Sequence, residues 1–133
     1  MDYLKEVCKE GQVVNNLFIT LGVQVEAVDN QQCVLRLPVT PAILQGAGKV
    51  AGGVLATLAD EAMAHCVIAN LEEGQITATI EMNVRYLRGT AEGELVAYGR
   101  IVRRGRTIIT AEAEVKNAEG VLLATAGASF WVG

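Results

Sequence analysis

The chain has 133 residues, 51% of them hydrophobic and 20% charged, with a formal net charge of −4. That length holds one domain, residues 1–133, and no second one. The hydrophobicity excludes a disordered chain, and the acidic balance with 5% aromatic residues argues against nucleic acid as a partner.

The segment from Met1 to Glu6 has neither a basic start nor an apolar run, so no signal peptide is expected. Residues 1–20 read as one or two short helices. Gly11 is the weak point between Leu4, Val7 and Cys8 on one side and Val14, Leu17 and Phe18 on the other. A strand follows from Val23 to Val28, then a turn at Asp29-Asn30. A second strand holds Val34, Leu35 and Leu37 and is closed by Pro38 and Pro41. Gly46-Ala47-Gly48 and Gly52-Gly53 then flank Lys49-Val50-Ala51, a density of small residues that suits close backbone approach.

From Gly53 to Asn70 the spacing of Val54, Leu55, Leu58, Ala62 and Ala69 predicts a helix. Only Thr57, Asp60, Glu61 and His65 interrupt its apolar surface, so it is expected to be buried on most sides. The longest apolar stretch, Val50–Ala59, is far short of the ~20 residues a bilayer span needs, so no membrane is expected as a partner. Beyond Gly74 the pattern is strand. Ala78, Ile80, Met82, Val84 and Tyr86 alternate with Thr79, Glu81, Asn83 and Arg85, and Leu95–Val102, Thr107–Val115 and Val121–Val132 repeat the theme. The breaks at Gly93, Arg104-Gly105-Arg106 and Asn117–Gly120 read as hairpin turns. An α+β fold follows, with an antiparallel sheet wrapped around one long helix. A chain this small leaves much of its surface wet, so its apolar content predicts a second subunit covering part of it.

The chemistry-bearing residues are few. Cys8, Cys33 and Cys66 are odd in number and widely spaced, which suits reduced thiols and a cytoplasmic location. Ser129 and His65 are the lone serine and histidine, no G-x-S-x-G is present, and a single histidine leaves no metal-ligand cluster. Neither the phosphate-loop nor the dinucleotide glycine pattern is met, so no cofactor is expected. The glycine pair opening the helix is different. Its free N–H groups carry partial positive charge and suit a developing oxyanion.

Asp60 lies in the middle of the least polar helix, where an acid needs a partner or a task. It is two turns from the helix start, too far to cap it, but it could face the start of a symmetry-related helix across a dimer interface. Glu61 follows about 100° around the helix, with His65 four residues later on its face, a spacing for a local contact. Arg85, Arg88, Arg100, Arg103, Arg104 and Arg106 are six of the eleven basic residues and suit phosphate recognition.

The run Gly52-Gly53-Val54-Leu55-Ala56-Thr57-Leu58-Ala59-Asp60-Glu61-Ala62-Met63 resembles the helix-opening motif of hotdog-fold thioesterases of the phenylacetic-acid-pathway (PaaI-like) type. Thr79–Arg88 is similar to that family's next strand, and Arg103-Arg104-Gly105-Arg106-Thr107 fits its usual layout. The resemblance implies a hotdog fold, a homodimer or homotetramer with a continuous sheet, and hydrolysis of acyl-CoA, with coenzyme A entering only as part of the substrate. It implies Asp60 as nucleophile or general base, Gly52 as oxyanion donor from the other subunit, and Thr79 and Gln45 as further catalytic positions. It places Ala51, Gly53, Glu61, Arg88, Arg103, Arg104 and Arg106 at the substrate. Ala51 stands where the family usually has histidine, Gln45 where it commonly has asparagine, and Gly89 where it has proline. The missing histidine keeps a second reading open, a non-catalytic module binding acyl-CoA or an acyl carrier.

Overall fold

A computed structural model describes residues 2–133. Two short helices, α1 (Tyr3–Val7) and α2 (Asn16–Leu21), precede strands β1 (Gln24–Val28) and β2 (Gln32–Pro38). The long helix α3 (Gly52–Ile68) comes next. Strands β3 (Thr77–Tyr86), β4 (Glu94–Arg104), β5 (Ile108–Asn117) and β6 (Leu122–Val132) complete the chain. All six strands form one antiparallel sheet in the order β1-β2-β4-β5-β6-β3. Among the described residues no helix is long and apolar enough to cross a membrane.

The sheet curls around α3. Leu55, Leu58, Ala59, Ala62, Met63, Cys66 and Val67 of the helix meet Leu35, Leu37, Leu95, Ala97, Ile109, Ala111, Val115 and Phe130 of the strands in one core. Small residues set the spacing. A side chain at Gly99 on β4 would put its Cβ 2.6 Å from the carbonyl carbon and oxygen of Ala62, so helix and sheet touch backbone to backbone there. Cys66 sits beside this contact and donates its thiol to the Gly99 carbonyl, 3.4 Å away. Burial pushes that thiol up to about 12, which keeps it protonated and inert.

Two expectations need correction, and a third is refined. The break at Gly93 is not a hairpin, because β3 pairs with β6 and the chain then crosses to the far side of β5 to enter β4 beside β2. The connection is held on its way: the Val50 amide donates to Thr90 O (2.8 Å) and the Val39 amide to Gly93 O (2.9 Å). Next, α3 is buried on most sides, as expected, but one flank is less covered. Gly53 is exposed, and Ala56, Thr57, Asp60, Glu61, Ala64 and Ile68 are half-buried, a stripe at helical spacing along one flank. Finally, the alternation in β3 breaks at a bulge between Thr79 and Glu81. Met82, Val84 and Tyr86 pair with Ala128, Ala126 and Ala124, and Thr77 and Thr79 with Val132 and Phe130, all on the helix side of the sheet. Ile80 is the extra residue, 53% exposed. In a regular strand Thr79, three residues before Met82, would face away from the helix whenever Met82 faced toward it; the bulge brings both to the helix side.

Candidate active site

Asp60 lies on the half-exposed flank of α3, facing β3. The bulge aims Thr79 at it, and the Thr79 hydroxyl donates to Asp60 Oδ1 at 3.0 Å. One carboxylate oxygen is thereby fixed, and Oδ2 makes no hydrogen bond among the described residues. The half-buried carboxylate of Glu61 follows on the helix; burial and the neighbouring Asp60 charge raise its pKa above the ordinary value.

Glu61 leads to a separate polar chain. His65 is 1% exposed and stacks on Phe18, ring centroids 5.0 Å apart. Its Nδ1 is 2.8 Å from the Glu61 carbonyl oxygen, which can only accept, so Nδ1 carries the proton and Nε2 accepts from the Tyr3 hydroxyl at 2.9 Å. The Tyr3 oxygen in turn accepts from Asn15 Nδ2 at 2.8 Å. This chain ties the N-terminal helices to α3, and burial lowers the His65 pKa.

The start of α3 forms the second part of the site. Ala51 occupies the N-cap with no side-chain bond, and its carbonyl accepts from the Val54 and Leu55 amides at 3.0 and 3.3 Å. The amides of Gly52 and Gly53 have no partner among the described residues. An alanine N-cap leaves first-turn donors free that serine or aspartate would satisfy. Gln45 lies in the preceding loop, where its side-chain carbonyl accepts from the Ala47 amide at 2.5 Å and from the Lys49 amide at 3.5 Å. Its oxygen is therefore committed to shaping the loop. Tyr86 was not singled out from sequence. Its hydroxyl donates to the Gly52 carbonyl at 2.8 Å, and two ring carbons and the hydroxyl oxygen lie 3.2–3.4 Å from where a Gly52 Cβ would be.

The sheet register sorts the arginines. Arg104 pairs with Ile109, which pairs with Phe130, which pairs with Thr79. Arg104 is thus in the row of Thr79, about 14 Å away across three strand spacings, and Arg103 and Arg106 flank it in the β4–β5 hairpin. Arg88 is elsewhere. Its amide donates to Leu123 O at the start of β6, some 23 Å along the strand from Phe130. Arg100 leaves the set, paired with Glu112 on the outer face of the sheet.

Within one chain the two halves are apart. Gly52 and Asp60 are eight residues apart on one helix, about 12 Å along its axis. The carboxylate, Thr79 and the Arg103–Arg106 hairpin occupy one end of β3; the free amides, Tyr86 and Arg88 occupy the other.

Comparison with known proteins agrees with this architecture. Residues 47–124 match the thioesterase superfamily. A candidate esterase of Halobacterium salinarum is 36% identical over 129 residues, covering 89% of this chain and 85% of its own. A candidate thioesterase from Ralstonia eutropha, described as a phenylacetic acid degradation-related protein, superposes with a TM-score of 0.88 at 31% identity, covering 98% of this chain and 99% of its own. The 1,4-dihydroxy-2-naphthoyl-CoA hydrolase of Listeria monocytogenes is 25% identical over 104 residues, covering 78% of this chain and 85% of its own. A helix wrapped by a six-stranded antiparallel sheet, with an acid mid-helix and a glycine pair at its start, belongs to a hotdog-fold member of the thioesterase superfamily of the phenylacetic-acid-pathway type.

Proposed function

We propose that the protein hydrolyses acyl-CoA thioesters at a site completed across a homodimer seam. The observation that carries the reading is the separation of an oriented carboxylate and free helix amides to opposite ends of one exposed edge strand. β3 has sheet neighbours on one side only, and α3 beside it shows its half-exposed small-residue stripe. An edge of that kind favours pairing with another strand. Antiparallel pairing of β3 with its own copy, about a two-fold axis near Asn83, sets Thr79 opposite the partner subunit's Tyr86. Asp60 then meets the partner subunit's Gly52, and the partner subunit's Arg88 joins the end that carries Arg103, Arg104 and Arg106.

In this arrangement the Gly52 N–H polarises the thioester carbonyl and holds the oxyanion of the tetrahedral intermediate. Asp60 Oδ2 takes the proton from an attacking water. Carbon–sulfur cleavage of the tetrahedral intermediate then releases the free acid and the coenzyme A thiolate, which takes up that proton. In the nucleophilic alternative Oδ2 attacks the carbonyl carbon itself, and cleavage expels the thiolate and leaves an acyl-aspartyl anhydride. Water then hydrolyses the anhydride to the free acid, its proton going to the thiolate and Asp60 being regenerated. A preorganised oxyanion donor contributes about 2.7–4 kcal/mol and a general base about 10²–10⁴-fold. The hairpin arginines, a pantetheine arm's reach from Thr79, suit the phosphates of coenzyme A.

The test is release of free thiol from benzoyl-, phenylacetyl- and hexanoyl-CoA by wild type and Asp60→Asn. Loss of at least about 100-fold in the variant supports the reading; equal rates remove Asp60 from the mechanism. Ala51, which offers no polar group where the family usually has histidine, favours the second reading, a non-catalytic acyl-CoA-binding module. That reading expects acyl-CoA to raise the melting temperature by mass action while turnover stays at background.

A further inference from the structure

We infer that Tyr86 is a positioning residue for the start of α3: it holds the Gly52–Gly53 peptide, and through it the turn that presents the Gly52 and Gly53 amides, an inference that rests on the reading of Gly52 as oxyanion donor. Residue 52 lies between two peptide groups, and both carbonyls are engaged. The Ala51 carbonyl takes the Val54 and Leu55 amides, and the Gly52 carbonyl takes the Tyr86 hydroxyl at 2.8 Å. On the loop side, the Ala51 amide is bonded to Ile43 O (3.0 Å) and the Val50 amide to Thr90 O (2.8 Å). From the sheet side, Tyr86 alone among the described residues holds this turn by a side-chain hydrogen bond.

Two features separate this contact from ordinary packing. The Gly52 carbonyl is in the first turn of a 17-residue helix, whose own ladder supplies it with a donor, so the hydroxyl is not needed to satisfy a stranded acceptor. The phenol is also 54% exposed and could hydrogen-bond water equally well. What the contact adds is geometry. The ring lies against the Gly52 Cα where a side chain would otherwise stand, and the hydroxyl prevents the peptide from tilting. An oxyanion donor is effective in proportion to its preorganisation, because it then needs no reorientation as charge develops. Hydrogen bonding at the Gly52 carbonyl also polarises the same peptide's Gly53 N–H, the second free donor of the turn.

The experiment compares Tyr86→Phe, Asp60→Asn and wild type on whichever of benzoyl-, phenylacetyl- and hexanoyl-CoA the wild type cleaves fastest, with thermal melting of each. Phenylalanine keeps the ring and removes the hydroxyl. The expected result is a fall in kcat of about five- to tenfold, with KM within about twofold and the melting temperature within about 2 °C. An unchanged kcat in Tyr86→Phe, with Asp60→Asn inactive, overturns the inference and leaves the parent reading standing. A fall in kcat accompanied by a clear drop in melting temperature assigns the hydroxyl to the scaffold and also overturns it. If wild type and Asp60→Asn release thiol equally, or none is released, the parent reading fails and the inference with it.

Discussion

Thr79 and Asp60 are joined by a 3.0 Å hydrogen bond that links the edge strand to the middle of the long helix. The bond orients the carboxylate and leaves one oxygen free. Thr79→Val, nearly isosteric, removes the donor and keeps the packing. A hydrogen bond to a charged group is worth about 1.5–3 kcal/mol, so kcat should fall about 10- to 100-fold. Thiol release measures it. Wild-type kcat in the valine variant would mean the carboxylate is oriented by something else.

Ala51 leaves the start of α3 without a cap. Ala51→Ser should stabilise the fold by about 1 kcal/mol, read from the urea midpoint at unchanged slope. The same hydroxyl would take the Gly53 or Val54 amide and leave that of Gly52 free, so turnover should be retained. A loss of turnover in the stabilised variant would show that the Gly53 amide is also used in the reaction.

Stability should fall in mild acid because of His65. Burial holds its imidazole below the ordinary value of 6.5. Above pH 6.5 both folded and unfolded chains carry it neutral, and its contribution is fully present. As pH falls below that value toward the lowered folded pKa, the unfolded chain takes up a proton that the folded chain resists, and stability is lost. The groups facing it are the Tyr3 hydroxyl, raised by burial, and the Glu61 carboxylate, raised by burial and by Asp60. Glu61 works in the opposite sense, since its burial cost is relieved as it is protonated. Melting temperatures from about pH 7.5 to 5.5 should slope downward in wild type and flatten in His65→Gln. Parallel slopes in the two proteins would assign the effect to another group.

Gly99→Ala should be among the most destabilising single-methyl additions in the chain. The new Cβ would lie 2.6 Å from the Ala62 backbone, an overlap that side-chain rotation cannot relieve. Overpacking of this kind costs about 1–3 kcal/mol, occasionally more. Chemical denaturation reads it directly, and a shift below about 0.5 kcal/mol would show that the helix yields easily.

The long helix and the β4–β5–β6 meander are legible in the sequence because their periodicities are sustained and their turns are punctuated by glycine. Asp60 is legible because an acid stands out in an apolar helix, and the glycine pair because it opens that helix. What stayed hidden depends on pairing between distant segments. The partner of β3 is β6, and nothing local at Gly93 distinguishes a crossover from a hairpin. The bulge at Ile80 is invisible because Ile80 continues an unbroken apolar alternation, and the residue that turns inward is a threonine instead. Tyr86 read as one more inward strand residue, since its contact with Gly52 spans 34 positions. The arginines read as one cluster in sequence, but the register distributes them to opposite ends and to the outer face of the sheet.

The direct backbone contact at Gly99 leaves α3 no freedom to move toward β4, because no side chain stands between them that could yield. Adaptation has to come from the opposite flank, at Ala56, Thr57, Ala64 and Ile68. Under the proposed thioesterase function, directed evolution of acyl selectivity therefore belongs on those four positions, where a changed side chain leaves the helix seated.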